Sequence, residues 1–128
     1  MATSSTRKPK VPGPDHPITV RPTGSVVARV GGRTVVDTIA ALTLQESTYP
    51  AVQYAPLADV DPALLQPTST HTYCPYKGEA SYYSLVVPGA GVELTDAVWT
   101  YPAPYAAVAE IAGHVAFYPD RVDVRVEG

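Results

Sequence analysis

Fourteen prolines and nine glycines are spread through 128 residues, and they leave little room for long helices. The runs between them are short and rich in β-branched and aromatic residues. Ser25-Val26-Val27-Ala28-Arg29-Val30 and Arg33-Thr34-Val35-Val36-Asp37 flank Gly31-Gly32, which predicts a hairpin closed by a primed two-residue turn. From Ile39 to Glu46, Leu42 and Leu44 alternate with Thr43 and Gln45, so a third strand is read here rather than a short helix. Val52-Gln53-Tyr54 predicts a brief strand closed by Pro56, and Thr70 to Tyr73 and Ser81 to Val87 predict two more. Gly89-Ala90-Gly91 then turns the chain into a strand from Val92 to Tyr101. His114 to Tyr118 and Arg121 to Val126 read as a final hairpin around Pro119-Asp120.

Helical signals are few. Asp61-Pro62-Ala63-Leu64-Leu65 reads as one turn, with Asp61 as N-cap and Pro62 at the first helical position. Pro104 to Ala112 has helical spacing, with Tyr105, Val108 and Ile111 on one face and Gly113 as a stop. The predicted fold is mainly β: a small single domain with a mostly antiparallel sheet, barrel-like or sandwich-like, and one or two short helices. Residues 1–17, which include Pro9, Pro12, Pro14 and Pro17, read as a flexible proline-rich tail in which His16 is solvated. Residues 18–128 form the single β-rich domain.

Composition narrows the function classes. Apolar content of 45% against 16% charged residues argues for a packed core rather than disorder. Nine tyrosines against one phenylalanine and one tryptophan suit half-buried pleated surfaces. Arg7, Lys8 and Lys10 supply a third of the nine basic residues; the remaining six face twelve acidic ones. An acidic body without a basic stripe is not expected to bind nucleic acid. No apolar run approaches the roughly 20 residues that span a bilayer, and a basic start followed by prolines is not a secretory signal, so no membrane partner is expected. One cysteine excludes an internal disulfide and a cysteine-rich zinc site, and a lone thiol suits a reducing, cytoplasmic setting.

The chemistry-bearing residues concentrate in Thr72-Tyr73-Cys74-Pro75-Tyr76-Lys77-Gly78-Glu79-Ala80. Cys74 is either a nucleophile, activated by the nearby Lys77, or a small hydrophobe closing a strand end. His71 lies three residues upstream, and strand alternation puts it on the opposite face from Cys74. Lys77, held on a turn shaped by Pro75 and Gly78, could orient an anion or a carbonyl, move a proton, act as an amine nucleophile, or remain a solvated turn lysine. Glu46 and Tyr54 flank the Tyr49-Pro50 break, and a carboxylate among tyrosines could act as a general base. Trp99 and Tyr101 share a strand face, as core or as a ligand platform. Asp37, Asp59 and Asp61 could in principle bind a divalent cation, although Asp59-Val60-Asp61-Pro62 reads more naturally as a helix cap. There is no Gly-rich phosphate loop, His-Glu-x-x-His, Gly-x-Ser-x-Gly or dinucleotide fingerprint, so no cofactor and no metal is expected.

The ordered run Thr70-x-Thr72-x-Cys74-Pro75-x-Lys77-Gly78-x-Ala80-x-Tyr82, then Ala97-Val98-Trp99-x-Tyr101-x-x-Pro104, then Ile111-x-Gly113-x-Val115-Ala116-Phe117-Tyr118, resembles the bacterial family known as domain of unknown function 427. Asp37, Leu42, Glu46, Pro50, Tyr54-x-Pro56 and Asp59-Val60 are similar to its upstream landmarks, and the likeness covers about Ile18 to Val124. The resemblance implies a compact, largely β fold and places Glu46, Tyr54, Cys74, Lys77, Gly78, Trp99 and Tyr101 at family motif positions. The family has carried a label suggesting nucleotidyl transfer, but this sequence has neither a phosphate loop nor paired metal-binding aspartates. Members often carry an arginine just before the position of Leu42 and a basic residue after that of Pro56; here Ala40-Ala41 and Leu57 stand there, which points to a different or less charged ligand.

The sequence therefore suggests a pocket near Lys77 for a small anionic or carbonyl-bearing metabolite. Lys77, Glu46 and Cys74 would carry the chemistry, and Tyr54, Gly78, Tyr82, Trp99 and Tyr101 would contact the ligand. The alternative is a non-catalytic interaction module or homodimer that uses strand edges and exposed tyrosines.

Overall fold

In the computed structural model, which describes residues 8–127, eight strands form one antiparallel sheet. They are β1 (Ile18–Val30), β2 (Arg33–Glu46), β3 (Val52–Pro56), β4 (Leu65–Cys74), β5 (Gly78–Val87), β6 (Val92–Thr100), β7 (His114–Phe117) and β8 (Asp123–Glu127). Their order across the sheet is β4-β5-β6-β7-β3-β2-β1-β8. Residues 1–7 of the expected tail lie outside the described residues.

The glycine turn forms as its chemistry requires. Gly31 and Gly32 take φ of +56° and +78°, both in the left-handed region of a primed turn, and Val30 pairs with Arg33. Beyond that turn β2 runs unbroken to Glu46, so Ile39 to Glu46 continues the second strand instead of forming a third. The single long strand is possible because β1 bends with it: the register slips on either side of Gly24, whose φ is +92°. The expected final hairpin is absent. Val122 donates its N–H to Tyr118 O at 2.9 Å, and this turn sends β8 away from β7 and onto the edge of β1, where Val126 pairs with Val26.

Alternation distributes apolar side chains to both faces. Ala55, Val98, Val115 and Phe117 join one buried cluster, while their neighbours Tyr54, Trp99 and Ala116 face another. Leu44, Ala80, Tyr101, Val108 and Ile111 complete the buried part of the second cluster, with Val108 and Ile111 supplied by a 3-10 segment, Ala106–Ile111. Asp61 caps the 3-10 turn Pro62–Leu64 by accepting the Ala63 N–H at 3.0 Å, as its sequence context predicts. No helix among the described residues is long and apolar enough to cross a membrane.

Candidate functional site

Two chain reversals bring the site together. The first follows β2. After Glu46 the chain turns through Ser47, at φ +49°, and Tyr49 N–H donates to Glu46 O at 3.0 Å. Gln45 Nε2 braces the turn by donating to Ser47 O at 3.1 Å, which fixes Tyr49 and Pro50 beside the end of β2. The second reversal joins β4 to β5. Lys77 N–H donates to Cys74 O at 3.2 Å across Pro75-Tyr76, and Gly78 leaves the turn at φ +113°. A Cβ on Gly78 would meet Ala103 O at 3.4 Å, an ordinary contact, so it is the dihedral that calls for glycine. Tyr105 N–H donates to Lys77 O at 3.0 Å and clamps the turn from the far side.

Between these reversals Lys77 Nζ forms an ion pair with Glu46 Oε1. Lys77 is buried rather than solvated, and its ammonium lies 5.9 Å from the ring centre of Tyr101. The second carboxylate oxygen of Glu46 meets His16 Nε2 at 2.7 Å. His16 is thus half-buried rather than solvated; its ring stacks on Tyr76, with centroids 4.1 Å apart and planes 11° from parallel. Lys10 N–H donates to Pro75 O at 2.8 Å, so the segment before β1 lies along the Lys77 turn. Burial pushes the Glu46 carboxyl up, but hydrogen bonds from Lys77 and His16 outweigh it and hold the group below its ordinary value.

Glu46, Lys77, Tyr54, Tyr82, Trp99 and Tyr101 line one half-enclosed cleft of about 220 Å³. Tyr54 is almost fully buried, and its hydroxyl accepts the Trp99 Nε1–H at 3.3 Å. Burial raises the hydroxyl pKa of Tyr54 and Tyr101 well above the usual tyrosine value. Burial and a hydrogen bond with Tyr82 push Tyr118 up to about 12. All three are protonated phenols at neutral pH.

The sequence model of the domain of unknown function DUF427 matches residues 19–128. The chain belongs to the DUF427 family. Comparison with curated proteins gives no match.

Within this DUF427 domain the candidate residues separate into two groups. Glu46, Tyr54, Lys77, Tyr82, Trp99 and Tyr101 converge on the cleft. Cys74 and Gly78 lie outside its lining: Cys74 packs, partly buried, against the second core cluster, and Gly78 acts through its backbone. The His71 ring meets Ser81 Oγ at 3.4 Å. Asp59 accepts a hydrogen bond from Thr38, and Asp61 caps its turn and pairs with Arg33. Among the described residues no three His, Cys, Asp or Glu side chains gather as a metal site. Sequence reasoning missed His16, which meets the Glu46 carboxylate, and the cleft-lining Leu44, Tyr49, Pro50, Val52 and Tyr118. The one signal the sequence offers is that His16 is among only three histidines in the chain.

Proposed function

We propose that the aromatic cleft of this DUF427 domain binds a small carbonyl-bearing metabolite, with Lys77 as the group that orients it. The observation behind this reading is the Lys77–Glu46 ion pair set at the cleft among tyrosines. An ammonium has three donors, and Glu46 takes one. The others can meet a carbonyl oxygen, while Tyr101 covers the cation's flank. Because Glu46 already neutralises Lys77, an anionic ligand would meet a carboxylate beside its cation, and a neutral carbonyl suits the cleft better. Glu46, kept ionised by its two partners, can accept a proton from a bound molecule but has none to donate at neutral pH.

A thermal-shift comparison of aliphatic carboxamides and the matching carboxylates, on wild type and Lys77→Met, tests this. Stabilisation follows RT ln(1 + [L]/Kd). Carboxamides should raise the melting temperature of the wild type more than carboxylates do, and Lys77→Met should remove the difference. Equal shifts in both proteins would refute the role of Lys77.

A second reading, a non-catalytic module that pairs through strand edges, draws on β8, which ends the sheet and leaves Val126 54% exposed. Light scattering decides it, because a monomer at all concentrations removes the homodimer form of that reading.

A further inference from the structure

The cleft shares a wall with a larger space. Tyr49, Pro50, Val52 and Trp99 line the cleft on one side and, on the other, a slot of about 540 Å³ that reaches Val124 and Val126. The slot originates in the strand pairing. β3 and β7 pair only at Ala55–Val115 and Pro56–His114, and beyond those two pairs Val52 and Phe117 flank open space instead of bonding.

The two spaces differ in chemistry. The cleft holds the Lys77–Glu46 pair, whereas among the described residues no charged side chain lines the slot. Its one amide side chain, Gln53, already has its oxygen engaged by Thr43 at 2.8 Å and Thr23 at 3.2 Å. Size also matters. Small-molecule sites usually enclose about 300–1,000 Å³; the cleft alone falls below that range, and the slot lies within it.

We infer that cleft and slot together form one site for an amphiphilic ligand, with a neutral carbonyl head at Lys77 and an aliphatic tail laid across Trp99 toward Val124 and Val126. The inference rests on the proposed role of Lys77 in holding the head. The tail is aliphatic because the slot offers apolar surface and no charge, and it reaches the slot only by crossing the shared wall.

Trp99 is the only tryptophan and stands on that wall, so its fluorescence reports occupancy. The probes are straight-chain carboxamides from acetamide to octanamide, titrated into the full-length protein. Affinity should rise about three- to fourfold for each added methylene that reaches the slot. In Val126→Asp, a change on a half-exposed edge strand that leaves the fold standing, this gain should vanish. In Lys77→Met every member should bind more weakly. Affinity that depends on Lys77 but not on chain length would overturn the amphiphile and leave the head site intact. Length dependence that persists in Val126→Asp would put the tail elsewhere and also overturn it. Affinity that rises with length but ignores Lys77→Met would refute the head site and the amphiphile together, as would no binding by any probe.

Discussion

Glu46 and Lys77 lie 31 residues apart in the chain and meet as an ion pair whose side chains keep only 14% and 11% of their surface exposed. One closes a long strand and the other rides a four-residue turn, so the pair reports that both reversals are correctly formed. Sheltered from water, each charge depends on its partner more than a surface pair would.

Removing either partner should therefore cost stability. Lys77→Met and Glu46→Gln are each expected to lower the unfolding free energy by about 1.5–3 kcal/mol, the range for hydrogen bonds to charged groups. The double variant should lose less than the two losses added, because neither charge is then left alone. Urea unfolding of the four proteins measures the coupling; strict additivity would mean that the pair contributes nothing.

The acid limb of the stability curve follows from the same contact. The folded Glu46 carboxyl titrates below its ordinary value of 4.5, so on acidification the unfolded chain takes up the proton first. This stabilisation is complete above the ordinary value and is lost as pH falls through the folded one. Urea midpoints should drop on acidification in the wild type and drop less steeply in Glu46→Gln. Parallel slopes would assign the acid loss to other carboxylates, such as Asp96, which Thr68 and Thr70 hold low by hydrogen bonding.

At the alkaline end the tyrosines reverse the sign. Burial raises Tyr54, Tyr101 and Tyr118, so the unfolded chain loses these protons at a lower pH than the folded one. Stability should fall as pH climbs past the ordinary tyrosine value of 10.0. Absorbance titration of the native protein should show tyrosines ionising late, and Tyr118→Phe should shrink that late component. An unchanged late component in that variant would contradict the burial of Tyr118.

What the sequence could reveal depended on range. The Gly31-Gly32 turn and the Asp61 cap are local, and both were readable because a few adjacent residues fix them. Glu46, Tyr54 and Lys77 could be nominated from their settings beside turns, but their meeting depends on the register of β2, β3 and the β4–β5 turn. Local sequence makes His16 look solvated because its partners, Tyr76 and Glu46, are remote in the chain. The pairing of β8 with β1 escaped for a related reason: alternation in Val122, Val124 and Val126 marks a half-buried strand without naming its neighbour.

Gly78 should be among the least replaceable residues of the turn. At φ +113° a side chain is strained, so Gly78→Ala should cost about 1–3 kcal/mol. It should also displace Lys77, which precedes it, and weaken carboxamide binding. A variant of wild-type stability would show that the turn can adopt another dihedral.

The head site can be tested residue by residue with ¹⁵N-labelled protein and butyramide. Two-dimensional amide spectra should show the Trp99 indole N–H and the backbone amides of Lys77 and Tyr101 shifting together with one dissociation constant, and in Lys77→Met these shifts should be lost. No shift at these groups in the wild type, or the same shifts in Lys77→Met, would contradict a carbonyl site built on Lys77.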